Sequence, residues 1–100
     1  MSGAYDVAVV GAGVVGCAVA RELSRYELRT VLIEAGSDLG GGVSRGNSAI
    51  LSPGADTPFG TLECRLVTRG HQRYVAEAPA MGLPCLALGS LTVAWTCGST

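Results

Sequence analysis

Three glycines, Gly11, Gly13 and Gly16, and one carboxylate, Glu34, are the residues whose spacing points to chemistry. The run GAGVVG satisfies G-x-G-x-x-G. Each glycine has its own physical use. Gly11 permits a tight turn out of a strand. Gly13 removes a Cβ, so that a pyrophosphate can come against the backbone. Gly16 lets the following helix pack close on that strand. The N–H groups at the helix start, around Val14 and Val15, offer donors and the positive end of the helix dipole to phosphate oxygens. Glu34 follows Gly16 by 18 residues, near the spacing of about 20 expected of an acid that accepts hydrogen bonds from ribose hydroxyls. A carboxylate there repels a 2′-phosphate, which disfavours NADP. The pattern predicts a bound dinucleotide and by itself does not separate FAD from NAD.

The elements that must position these residues are legible around them. Tyr5 to Val10 (YDVAVV) is short, β-branched and without alternation, which predicts a parallel strand buried on both faces. Val14 to Arg25 predicts a helix, with Val15, Val19 and Leu23 on one stripe. Arg29 to Glu34 (RTVLIE) predicts a second buried strand. Strand, glycine turn, helix and strand make a βαβ unit with a right-handed crossover. From Ala35 to Phe59 periodicity stops, in a Gly-, Ser- and Pro-rich stretch whose length suggests a functional loop. Thr61 to Glu77 resumes helical spacing, through Leu62, Leu66, Arg69 and Arg73 and through Leu66, Gly70 and Tyr74. Gly89 to Thr96 (GSLTVAWT) predicts a strand with Leu91, Val93 and Trp95 on one face.

Composition sets the bounds. The chain has 100 residues, 48% of them apolar and 15% charged, so a packed core is expected rather than disorder. One hundred residues suit one small domain and are too few for a two-domain oxidoreductase. Six of the 15 glycines lie between Gly36 and Gly54, which marks that loop as backbone held for a purpose. A net charge of −1 gives no electrostatic footprint for nucleic acid. Cys17, Cys64, Cys85 and Cys97 form no CxxC pair, which argues for small buried hydrophobes in a reducing cytosol and against zinc. The apolar run Val7 to Ala20 has no preceding Lys or Arg and is too short to span a bilayer, so neither a signal peptide nor a transmembrane segment is expected.

The segment after the second strand carries a resemblance. LGGGVSRGNSAILSPGAD, from Leu39 to Asp56, resembles the second flavin-contacting segment of the D-amino-acid-oxidase-like FAD oxidoreductases. GTLECRLVTRG (Gly60 to Gly70) and GSLTVAW (Gly89 to Trp95) resemble the glycerol-3-phosphate dehydrogenase and L-2-hydroxyglutarate oxidase branch of that family. The most specific pieces are the Ser44 to Leu51 loop and ELSRYELRTVLIE, Glu22 to Glu34. The resemblance implies an α/β fold: a Rossmann-like FAD-binding βαβ with a parallel sheet, incomplete at its C-terminal side. Residues 1–84 would be the N-terminal part of the FAD-binding domain, and 85–100 the start of a substrate-domain strand region. Gly11, Gly13, Val14, Val15 and Gly16 would line the ADP pyrophosphate, and Glu34, followed by Ala35, would bind the adenosine ribose. Ser44 and Arg45 would lie near the pyrophosphate. Asn47, Ser48 and Ala49 would run beside the flavin, partly through backbone groups.

The implied activity is oxidation of a small hydroxy acid, polyol phosphate or amino acid, with electrons passed to a quinone, oxygen or a carrier protein. The implied location is the cytoplasm, or the periphery of a membrane. The 100 residues alone are expected to lack turnover, as the N-terminal fragment of a longer enzyme. One departure stands out: Ser52-Pro53-Gly54 occupies a place where relatives often carry a His followed by a small residue and Gly, which leaves the catalytic base unassigned. A non-catalytic nucleotide-binding module and an NAD-dependent Rossmann dehydrogenase are the alternatives. Elsewhere, His71 with Arg69, Gln72 and Arg73 reads as a solvated helix face, and Arg65, Arg69 and Arg73 as a solvated or ion-paired stripe. Asp56 and Glu63 have no partner at a telling spacing, and Tyr74 and Trp95 read as packing residues.

Overall fold

A computed structural model describes residues 3–93. The chain forms two compact units, residues 1–50 and 51–100. The 84/85 division read from the sequence concerns residues that lie partly outside the described ones, and it remains an expectation.

The first unit is a βαβ. Strand β1 spans Val7–Val10, helix α1 spans Val14–Leu23 and strand β2 spans Thr30–Ile33. The strands pair in parallel, with Val7 opposite Thr30 and Val10 opposite Ile33. Parallel pairing needs a crossover, and α1 supplies it. The ladder begins at a clamp. Asp6 N–H donates to Arg29 O at 2.9 Å, Arg29 N–H donates back to Asp6 Oδ2 at 2.8 Å, and the two side chains pair at 3.3 Å. The Arg29 guanidinium and N–H hold the Asp6 carboxyl below the usual carboxylate range. At the other end Gly11 N–H donates to Ile33 O at 2.7 Å, so the sheet runs directly into the glycine turn.

Two expectations change here. The strands are not buried on both faces. Val7 and Val9 are half-buried, whereas Val10 is 81% exposed and Ile33 is 48% exposed. Helix α1 covers one face of the sheet, and among the described residues of this unit nothing covers the other. The inner stripe of α1 also differs from the one predicted. Gly16, Cys17, Ala20, Glu22 and Leu23 are its half-buried positions; Leu23 of the predicted stripe is among them, while Val15 and Val19 are exposed. The cause is close approach. A Cβ at Gly16 would stand 1.8 Å from the Gly11 carbonyl oxygen, and it would touch Val9 Cγ1 at 3.6 Å. The first turn of the helix lies so near the Gly11 carbonyl that no side chain fits at position 16.

The second unit is built on helix α2, Leu62–Glu77. Thr61 caps it, its hydroxyl accepting from Cys64 N–H at 3.2 Å. The half-buried stripe is Cys64, Val67, Thr68 and His71. His71 therefore sits on the inner side of α2, a correction to the solvated face expected of it, whereas Arg65, Arg69 and Arg73 are exposed. Arg73 pairs with Glu77 at 3.2 Å. The buried Gly54 lies against Thr68 with φ +92, a left-handed conformation that favours glycine. Gly89–Val93 carries no strand, and Ala94, Trp95 and Thr96 lie outside the described residues. No helix among the described residues is long and apolar enough to cross a membrane.

Candidate functional site

The end of β1, the start of α1 and the loop after β2 converge on one turn, Gly11-Ala12-Gly13. Gly11 adopts φ +98, outside the reach of most side chains. Ala12 is fully buried and its two backbone groups are both engaged. Its N–H donates to Glu34 Oε2 at 2.7 Å, and its carbonyl accepts from Gly40 N–H at 2.9 Å. The turn is thus held from one side by the end of β2 and from the other by the glycine-rich loop.

Glu34 has a second donor. Gly36 N–H reaches Oε1 at 2.9 Å. The N–H groups of Gly36 first, and Ala12 second, hold the Glu34 carboxyl below the usual carboxylate range, against a smaller opposing effect of burial. The side chain is fixed as an anion with both oxygens directed by backbone. Each oxygen keeps lone-pair capacity for further donors. Ala35 lies exposed in the turn that follows.

Helix α1 begins at Val14 with Gly13 as its N-cap, and Gly13 has no side chain to cap it. Ser44 takes that part from 30 residues away: its Oγ accepts from Val14 N–H at 2.9 Å. The Val14 N–H, expected to be available, is therefore engaged. Ser44 closes a short 3-10 turn, Gly42–Ser44, and Arg45 follows it. The Arg45 guanidinium donates to Asp38 Oδ2 at 2.8 Å, across the base of the loop. Gly11, Gly13, Val14, Val15, Gly16 and Ser44 line one shallow groove of about 480 Å³, with Val10 and Val43 as exposed apolar walls.

Of the residues predicted from sequence, the structure brings together Gly11, Gly13, Val14, Val15, Gly16 and Ser44, with Glu34 joined through Ala12. The flavin-side candidates stand apart. Asn47 Oδ1 accepts from Ala49 N–H at 2.7 Å, closing a turn in which Ala49 takes φ 59, unusual for a residue other than glycine. Ser48 is exposed. Among the described residues no hydrogen bond ties Asn47, Ser48 or Ala49 to the glycine turn.

Sequence reasoning missed Gly40 and Asp38, which hold the loop in place. Opposite charges on Asp38 and Arg45, either side of the glycine run, were the available sign. It also left Asp56 without a partner, whereas Ser52 Oγ donates to Asp56 Oδ1 at 2.9 Å and accepts from Gly54 N–H at 3.1 Å. Ser52 is thereby part of a local turn, in the place where a His was looked for.

The groove, the helix start and the fixed carboxylate fit a dinucleotide: a turn bared of side chains for the diphosphate, and an anion for ribose hydroxyls. Comparison with known proteins agrees. Residues 6–99 match the family described as FAD dependent oxidoreductase (DAO). The chain is 41% identical over 91 residues to a glycerol 3-phosphate dehydrogenase of Caloramator mitchellensis, covering 91% of this chain and 19% of that protein. It is 45% identical over 91 residues to a glycerol 3-phosphate oxidase of Mycoplasma pneumoniae, covering 90% and 24%. It is 35% identical over 89 residues to a mitochondrial L-2-hydroxyglutarate dehydrogenase of Arabidopsis thaliana, covering 89% and 18%. The chain spans about a fifth of the length of these curated relatives. No solved structure matches it.

Proposed function

The chain belongs to the DAO family of FAD dependent oxidoreductases, and from that premise we propose that residues 11–49 form the ADP-binding side and part of the flavin-binding side of an FAD site. The cofactor of this family is FAD, which decides against the NAD alternative. The observation that carries the reading is the single hydrogen bond from Ala12 N–H to Glu34 Oε2, 2.7 Å long. It fixes the distance between the phosphate-facing turn and the ribose-facing carboxylate, the two features a dinucleotide spans.

In this reading Gly11, Gly13, Val14, Val15 and Gly16 border the diphosphate. Glu34, with Ala35 behind it, accepts from the adenosine ribose. Ser44 and Arg45 supply donors to the diphosphate, and Asn47, Ser48 and Ala49 flank the flavin. FAD held there would supply the redox chemistry, acceptance of a hydride from a carbon that carries oxygen or nitrogen. The substrate is a small hydroxy acid, polyol phosphate or amino acid. Relatives named for glycerol 3-phosphate and L-2-hydroxyglutarate support the first two classes. The electron acceptor is a quinone, oxygen or a carrier protein. The protein works in the cytoplasm or at a membrane periphery.

The test is the visible flavin absorption retained after mixing with FAD and desalting. Gly13→Val fills the diphosphate side and should abolish retention. Glu34→Gln removes the charge that strengthens the ribose bonds, and it should weaken FAD binding by about tenfold or more. FAD retention unchanged in both variants would overturn the reading.

A further inference from the structure

We propose that the outer face of α2 docks a helix of a partner protein, one whose apolar stripe is flanked by carboxylates. The face is set by spacing. Leu62 and Leu66 stand one turn apart, and so do Arg65 and Arg69, which makes two parallel ridges along one side of the helix. All four are exposed, while the half-buried stripe of Cys64, Val67, Thr68 and His71 lies on the other side. Arg65 and Arg69 also border a shallow groove of about 520 Å³, where Phe59 is almost fully exposed. Apolar ridges beside an aromatic ring and arginines have the composition of a protein contact surface.

Two observations say what covers this face. The first is charge. Arg73 pairs with Glu77, whereas Arg65 and Arg69 have no carboxylate partner among the described residues. Like charges one turn apart weaken a helix by itself, so this pair gains nothing within its own unit. Two carboxylates one turn apart on a facing helix would match it, and the apolar stripe between them would meet Leu62 and Leu66. The second is Gly70, one turn beyond Leu66 on the same ridge and inside α2. A Cβ there would meet nothing within 4 Å, and no left-handed φ calls for glycine. Glycine inside a helix is less stable than Ala, and the protein's own packing gives no reason for it. A notch in the ridge does: it lets the backbone of a second helix come close.

The experiment titrates the native protein with a fluorescently labelled synthetic helical peptide, its Leu stripe flanked on both sides by Glu, and follows anisotropy. The same peptide with Gln in place of Glu is the control. The Glu peptide should bind saturably and about tenfold more tightly than the Gln peptide, with the difference shrinking as salt is raised. Arg65→Gln together with Arg69→Gln should bring the Glu peptide down to the affinity of the Gln peptide. Gly70→Leu should weaken both peptides about tenfold by filling the notch. It should also leave the protein at least as resistant to urea, which separates lost docking from lost folding. A native protein that does not bind the Glu peptide would overturn the proposal, and so would equal affinity for the two peptides. Native affinity in Gly70→Leu would overturn it as well. Dimers of the unliganded protein that Gly70→Leu disperses would assign the face to a second copy of this chain. Arginine-dependent binding to phosphatidylglycerol vesicles, without binding to the peptide, would assign it to a membrane surface. Either result would overturn the acidic helix as its occupant.

Discussion

Gly16→Ala puts the close approach of α1 to the glycine turn under direct test. The added Cβ would lie 1.8 Å from the Gly11 carbonyl oxygen and 3.0 Å from its carbon. Both are backbone atoms, so no side chain can swing away. Restoring even 3.0 Å requires the helix start to retreat by more than 1 Å. Overpacking of this kind costs about 1–3 kcal/mol, and the immovable neighbour places it at the upper end. Against it stands the better helix propensity of Ala, about 1 kcal/mol. The expected net effect is about 2 kcal/mol of destabilisation by urea unfolding. The retreat also disturbs Ala12 and the Val14–Ser44 bond, so FAD affinity should fall as well. Gly70→Ala is the control. Gly70 lies inside α2, where a Cβ would meet nothing within 4 Å. It should stabilise by about 0.5–1 kcal/mol through propensity alone. If Gly16→Ala is as stable as the native protein and binds FAD equally well, the close-approach argument is wrong. If Gly70→Ala destabilises to the same degree, the effect does not come from contact with Gly11.

Further outcomes can be measured alongside. Glu34 has its folded-state pKa lowered by Gly36 and Ala12. Its contribution to stability is thus fully present above its unfolded value, about 4.3, and is lost as pH falls through the lower folded value. Acid unfolding followed by circular dichroism should show this loss in the native protein, and Glu34→Gln should lack it; identical acid limbs would contradict the assignment. Ala49 holds φ 59 against its preference, so Ala49→Gly should stabilise by up to about 1 kcal/mol and Ala49→Val should destabilise, with chemical denaturation as the check. Thr61→Ala removes the α2 cap and should cost about 1 kcal/mol; a change below a few tenths would mean that Thr61 Oγ1 does not cap Cys64.

Much of the candidate site was legible because it is local. Strand, turn and helix follow one another between Val7 and Leu23, and a glycine with φ +98 is chosen by the turn itself. The Thr61 cap acts three residues away, and the spacing of Glu34 follows from the length of one helix and one strand. The helix face was not legible in the same way. Hydrophobic periodicity favoured Val15 and Val19, because it scores burial by apolar character. The folded chain instead half-buries Gly16, Cys17 and Ala20, and at Gly16 the Gly11 carbonyl leaves no space for a side chain.

By itself, then, the order of residues determined the βαβ unit, the glycine turn and the carboxylate at the end of β2. Those depend on backbone freedom and on periodicities that act over a few residues. Tertiary structure alone decided that Ser44 would cap a helix 30 residues earlier. It also decided that Gly40 and Asp38 would fasten the loop, and that His71 would turn inward on α2. The physical reason is shared. Each is a contact between groups far apart in sequence or a choice between faces, fixed by what the folded backbone brings within hydrogen-bonding or packing distance, and no local preference encodes that distance.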